Sequence, residues 1–460
     1  MKDSMGKYLA SYAEKGPWQL ETSSLRGIQH AVVIPSLAEY PAILETLYHL
    51  SQNAPDALQK TLMVCVVNNR PAPWATERDF ANNQKTISLI KSLIHHKPFP
   101  EESSNLSPLI HGIRNSAIRP ALVDASSPGM ELPHNMGVGM ARKIGADLSL
   151  SAMNFDDFRG GKNILLHLDA DTLVEPSYLQ ETIHHFHEHS PLSAVISFAH
   201  RRTSDAVLQE AINTYESYLR SYVIGLRYAS SPYAFHTIGS TMASSAMGYA
   251  SVRGIPKRLA GEDFYFLNKM AQLKPVSCIK KTTVFPSPRI SARTPFGTGK
   301  TIHRLMEEKK AEAMFYHPHI FEILRLWLAL IPEEIASDAR TIMVCAKDID
   351  PLLPEFLASH HFSEVWQKLK RNFPSRTNLL RQFHVWFDGL KTFKLIRFLT
   401  AHRHYRLSMA DAFILLMTMI GAMPASFSRT SPAANILTHL RHIENGQTTD
   451  KITEISPISP

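Results

Sequence analysis

Two uninterrupted apolar runs, separated by a single amphipathic stretch, constrain the fold of this chain more than any other feature. HAVVIP at 30–35 stops at a proline, and LMVCVVNNR at 62–70 ends in polar residues. Runs apolar on both faces suit strands covered on both sides, the condition of a parallel sheet. Between them AEYPAILETLYHLSQ carries Ile43, Leu44, Leu47 and Leu50 at helical spacing. Parallel neighbours need such a crossover, so the segment reads as a strand–helix–strand unit. A Pro/Ser/Asn-rich connection follows around 98–108, and GVGMARKIGADLSL then reads as a helix. KNILLHLDADT reads as a strand with an acidic tip, the stretch after Pro176 as a helix opened by that proline, and LSAVISFAH as another strand.

The alternation persists to about residue 300, beyond which HIFEILRLWLALI, PEEIASDARTIMV, SEVWQKLKRNF and ADAFILLMTMIGAM read as helices. The expected architecture is a Rossmann-like, mostly parallel sheet flanked by helices, followed by an α-helical C-terminal region. The expected division is a polar lead-in at 1–27, the α/β domain at 28–300 and a helical domain at 301–460. With 460 residues, 44% hydrophobic and 20% charged, the chain has ample core for this and is not a disordered polymer. Cys65, Cys278 and Cys345 lie far apart and read as inert buried thiols, which excludes a disulfide framework. The start, MKDSMGKYLASYAEKG, has no apolar core run, and the apolar stretch 409–423 carries Asp411 and is too short to span a bilayer. The expected setting is cytoplasmic. The net charge of +8 permits anionic partners and selects none.

LLHLDADT sets Asp169 and Asp171 at the C-terminal end of an apolar strand, the end where open α/β sheets bind ligands. Strand alternation would turn both carboxylates to one side. Two hard oxygen donors there suit Mg²⁺ or Mn²⁺ holding a diphosphate. The plainer alternative has one aspartate capping the next helix and the other solvated. A third is the DxDx[TV] phosphatase motif with an aspartate nucleophile, although Leu173 fills its fifth position here.

VVIPSLAEYPAILETL, VCVVNNR, HNMGVGMARKIGAD, ILLHLDADTLVEPSYL and GIPKRLAGEDFYFLNKM resemble, in this order, the landmarks of family 2 glycosyltransferases with a GT-A fold, over about residues 28–275. That resemblance implies a metal-dependent enzyme moving a sugar from a nucleoside diphosphate sugar to an acceptor hydroxyl, with inversion expected. IPSLAE matches the family's nucleotide-binding first loop and nominates Pro35, Ser36 and Glu39, with Leu37-Ala38 departing from its Tyr-Asn. Asn68 or Asn69 takes the place of the base-reading tip, and Arg142 of ARKIG would meet the phosphates. Asp171 is implied as the metal ligand, and Asp169 as a contact to the ribose or uridine side or to the metal through water. GEDF matches the acceptor side, with Asp263 as general base, Glu262 beside it, and burial raising the Asp263 pKa. A non-catalytic GT-A-like protein that binds nucleotide sugars is the alternative reading. Sugar, base and acceptor stay unnamed.

Two further segments carry expectations. SPRISARTPFGTGKTIHRL offers Arg289, Arg293 and Lys300 as a loop closing on a diphosphate, and His303 as a second metal ligand. Residues 365–408 interleave ten Lys/Arg and one acid, Asp388, with eight aromatics. They read either as a helical domain with a basic outer face or as a peripheral contact with anionic membrane. No nucleic-acid-binding motif is present, and no such partner is expected.

Overall fold

HAVVIP and LMVCVV form neighbouring parallel strands in which every residue is buried, as their two-sided apolarity requires. The structure is a computed structural model describing residues 2–99, 105–155, 163–289, 302, 305, 314–425 and 427–446. Its strands are β1 (Glu21–Thr22), β2 (His30–Ser36), β3 (Thr61–Asn68), β4 (Arg119–Ala125), β5 (Ile164–His167), β6 (Leu173–Val174), β7 (Ser193–Phe198), β8 (Met242–Ser245) and β9 (Ser277–Phe285). Among the described residues they make one sheet in the order β1-β4-β3-β2-β5-β8-β7-β9-β6. β4, β3, β2 and β5 run parallel, as do β7 and β9. β8 runs antiparallel to both β5 and β7, and β1 and β6 close the two edges antiparallel. The result is a mixed sheet flanked by helices, a Rossmann-like α/β domain, followed by an all-helical C-terminal region.

Three elements between residues 71 and 134 went unread in the sequence: the helices Glu77–Ile94 and Ser107–Arg114, and β4. The helix Glu77–Ile94 starts at a capping box in which Thr76 and Asp79 satisfy each other's backbone N–H. β4 (RPALVDA) opens on Arg-Pro, so its apolar run is short. Of the three cysteines only Cys65 is buried: Cys278 is exposed, Cys345 half-buried, and none of the three forms a disulfide.

The chain divides into two compact units, Met1–Arg201 with Thr237–Gly297, and Arg202–His236 with Thr298–Pro460. The sheet belongs to the first. The helix Ala206–Tyr228 belongs to the second, where Leu226 and Ala229 share a core with Ile320, Phe321, Leu324 and Trp327. Trp366, Phe383 and Phe387 are fully buried in that same core, so these aromatics of 365–408 are packing residues. Tyr405, in contrast, is 70% exposed. No helix among the described residues is long and apolar enough to cross a membrane.

A buried charge network fastens the second unit. Arg220 on the helix Ala206–Tyr228 donates Nε to Glu216 Oε1 at 2.9 Å and Nη1 to Glu444 on the helix Ala433–Asn445. His236 Nε2 lies 2.7 Å from Glu444 Oε1, and Arg441 Nε donates to Glu216 at 2.8 Å. Burial alone would raise the Glu444 carboxyl. The charges and hydrogen bonds of His236, Arg220 and Arg227 more than reverse this, to about 2. Glu444→Gln should therefore cost about 3–5 kcal/mol in urea unfolding, because it removes one of the two buried carboxylates that balance Arg220. The pH dependence supplies a second check. A depressed carboxyl stabilises above its ordinary pKa of 4.5 and loses that contribution as pH falls towards about 2. The variant should lack that acid limb.

Candidate functional site

The sheet order sets the C-terminal tips of β3, β2 and β5 side by side. Pro35 and Ser36 end β2, and Asn68 ends β3 with Asn69 just beyond it. Two asparagines on the helix Glu77–Ile94 fasten these tips. Asn83 Oδ1 accepts the Ala38 N–H at 2.7 Å, and its Nδ2 donates to Asn68 O at 3.1 Å and Ser126 Oγ at 3.0 Å. Asn82 both accepts from the Tyr40 N–H (2.9 Å) and donates to the Tyr40 carbonyl (2.8 Å). Ala38 sits at φ 53°, a conformation that these bonds hold in place. Sequence reading missed both asparagines. The available signal was an Asn-Asn pair inside helical spacing, where a residue that competes with the helix backbone needs some other purpose.

Asn69 is 4% exposed, and among the described residues its Oδ1 has no hydrogen-bond partner. Its carbonyl accepts the Leu132 N–H at 2.9 Å, which brings the 132–134 segment against this tip. There His134 stacks on Trp74 at 5.0 Å between ring centroids, with Trp74 49% exposed.

β5 ends at His167, and the Leu168 N–H closes the last ladder bond to Val33 O at 3.1 Å. Asp169 and Asp171 therefore lie on the turn after the strand, where the Thr172 N–H reaches Asp169 O at 3.1 Å. This corrects the expectation of two aspartates aligned by strand pleating. The turn hands them to separate partners, Asp169 to Arg142 and Asp171 to Arg289.

Arg142, on the helix Val138–Ala152, is 1% exposed. Its Nη2 donates to Asp169 Oδ1 and its Nε to Glu262 Oε1 at 3.0 Å, while Nη1 is buried with no partner among the described residues. A Cβ on Gly239 would lie 2.5 Å from Nη2, so that glycine makes room for the guanidinium. At Gly139 the helix start lies close against another stretch of the chain: a Cβ there would lie 2.5 Å from Pro256 O. Glu262 and Asp263 form the first turn of the helix Glu262–Leu273, and Asp263 Oδ1 accepts the Phe264 N–H at 2.7 Å. Burial, then the neighbouring Glu262 charge, pushes the Asp263 carboxyl up to about 7. Burial also raises Glu262, against the pull of Arg142.

Arg289 donates Nη1 to Glu39 Oε2 at 2.6 Å and Nη2 to the other Glu39 oxygen, and its Nε lies 2.8 Å from Asp171 Oδ2. Burial lifts Asp171 to about 6; Arg289 lowers it, and Asp169 and Glu39 raise it. Glu39 and Asp171 thus converge on one cation, the Arg289 guanidinium. Magnesium-type ions commonly take one or two carboxylates and complete their shell with substrate phosphate and water. Among the described residues no three His, Cys, Asp or Glu side chains converge on a metal position. His303, Arg293 and Lys300 lie outside the described residues.

No family model matches the sequence, and no curated protein matches it. Among solved structures, S. aureus TarS matches with a TM-score of 0.32 at 12% identity, over 68% of this chain and 45% of that chain. This chain thus spans under half of the length of that TarS chain. TarS 1–349 in complex with UDP-GlcNAc and in complex with UDP also give 0.32, at 14% identity, over 91% of this chain and 93% and 92% of theirs. A likeness at that score carries no argument about fold or activity, which rest on the geometry above.

Arg142→Met should cost about 3–5 kcal/mol, because it leaves the Glu262 carboxylate buried without its partner. Chemical denaturation of the variant against the parent measures this, and a loss below about 1 kcal/mol would mean that Glu262 finds water instead.

Proposed function

We propose that the α/β domain binds a nucleoside diphosphate sugar across the tips of β2, β3 and β5 and passes the sugar to an acceptor hydroxyl, in the manner of a family 2 glycosyltransferase. One observation carries the reading: Glu39, the Asn68–Asn69 tip, Arg142, Asp169 and Asp171 gather at the ends of three adjacent strands, with Asp263 one residue from Arg142's partner Glu262. In this reading the unpartnered Asn69 Oδ1 accepts from a base N–H, with the Trp74–His134 stack beside it as a flat surface for the ring. The free Nη1 of Arg142 donates to a phosphate oxygen. Glu39 and Asp171 would hold a divalent ion, whose chemistry is to offset the charge building on the diphosphate leaving group.

The acceptor oxygen attacks C1 of the sugar as the C1–O bond to the diphosphate breaks. The nucleoside diphosphate leaves, and the hydroxyl proton passes to Asp263. A carboxylate raised to about 7 suits that task, since a base works best with a pKa near the working pH.

A second reading, binding without turnover, draws on a different observation. Glu39, Asp169, Asp171 and Glu262 each already carry an arginine partner. Two measurements divide the readings. A panel of nucleoside diphosphate sugars, with and without Mn²⁺, should raise the melting temperature for one base series. Asp263→Asn should keep that shift and lower kcat by ~10²–10⁴-fold. The parent's kcat should climb as pH rises through about 7, where the carboxyl loses its proton, and the variant should lack that climb. A melting shift with no transfer to any hydroxyl would leave the binding reading standing.

A further inference from the structure

The acidic tip already holds a cation, and it is a side chain of this chain. Arg289 follows β9 and spends all three guanidinium nitrogens on two carboxylates, Glu39 from the loop after β2 and Asp171 from the turn after β5. Glu39 is 8% exposed and the Asp171 side chain 15%, so water does little for either charge. The guanidinium is what keeps them soluble in the interior.

The charges at this tip are half offset, four carboxylates against two guanidinium groups. Glu39, Asp169 and Asp171 face Arg142 and Arg289, and Glu262 takes a second bond from Arg142. A divalent ion arriving alone meets carboxylate oxygens already committed to Arg289, and it is repelled by the guanidinium it must approach. A diphosphate arriving alone meets carboxylates and no free fork. Arriving together the two are mutually neutral. The ion takes the carboxylates, and the released Arg289 exchanges a bidentate carboxylate for a bidentate phosphate, a trade that its planar fork makes nearly even.

We infer that Arg289 is a displaceable counter-cation: it occupies the divalent-ion position at Glu39 and Asp171 until metal and diphosphate bind together, and then grips the diphosphate itself. This rests on the nucleotide-sugar reading for the identity of the diphosphate, but one consequence, competition between Arg289 and the metal, needs no nucleotide. Metal and donor must bind with positive coupling, and the coupling must pass through Arg289.

The test is Mn²⁺ titration of the full-length protein without nucleotide, read by the EPR signal of free Mn²⁺. Arg289→Gln should bind Mn²⁺ more tightly than the parent by about tenfold or more, within the usual range of coupled sites. Adding Asp171→Asn to that variant should abolish the gain, which assigns the ion to this tip. In melting experiments Mn²⁺ alone should stabilise Arg289→Gln and leave the parent unmoved. Arg289→Lys keeps a charge but loses the fork, so it should show a smaller gain in the same direction, and it provides the reading if the glutamine variant does not fold. Equal Mn²⁺ affinity in the parent and a folded Arg289 variant would overturn the proposal. A donor panel that finds no nucleotide sugar would sink the functional reading and leave the Mn²⁺ comparison intact.

Discussion

A guanidinium 1% exposed stays charged only if the fold supplies counter-charges, and Arg142 draws them from two loops that are far apart in sequence. Asp169 comes from the turn after β5 and Glu262 from the start of the helix Glu262–Leu273. Satisfying one buried charge therefore fixes where the acidic turn and the Glu262–Asp263 pair stand relative to one another. The surroundings are cut to the same requirement, with no side chain on Gly239 and close backbone contact at Gly139. Removing either carboxylate would leave a desolvated cation, which is why the arrangement behaves as a unit.

The second arginine works differently. Arg289 is more than a third exposed, and it lies on the segment leading away from β9 instead of inside a packed helix. Arg142 is an internal fixture, while Arg289 can leave its partners for solvent at lower cost. The tip thus combines one cation that organises it with one that can be exchanged. That division matters for any ligand carrying its own charge, since the fixed cation sets shape and the exchangeable one sets the condition for entry.

Much of the sheet was legible because parallel strands buried on both faces leave continuous apolar runs, and β2 and β3 are such runs. β8, with the sequence MASS, was not, because its small residues carry no strand signal and its place depends on pairing with β5 and β7. Strand alternation misplaced Asp169 and Asp171, since β5 stops at His167 and a turn follows its own geometry. The Glu39–Arg289 clamp joins residues 250 positions apart, and no local pattern encodes such a partner. Asn82 and Asn83 were hidden for another reason: most of their bonds go to the backbone of residues 38, 40 and 68, which any residue type would supply. The helix Ala206–Tyr228 was masked by the alternating elements around it, and its apolar residues serve the helical unit.

Two carboxylates, Glu444 buried and Asp263 half-buried, show how the same desolvation is turned to opposite ends. At Glu444 the neighbours His236, Arg220 and Arg227 together overcome burial, so its charged form is the one the fold prefers, and it adds stability at neutral pH. At Asp263 burial and the Glu262 charge prevail over the Phe264 N–H and Arg142. Its contribution has the reverse sign: it is fully present below the ordinary carboxyl value of 3.8 and is lost as pH rises through about 7. Near neutrality, then, the fold holds the charged form of Asp263 at a disadvantage. A carboxylate with only a structural role gains nothing from that, since a cation or a further donor beside it would remove the cost, as at Glu444. A carboxylate that must take up a proton gains directly, because an environment that disfavours its charge makes it a stronger base. Arg142 lies close enough to lower the Asp263 pKa, yet its hydrogen bond goes to Glu262, and this choice of partner keeps Asp263 basic.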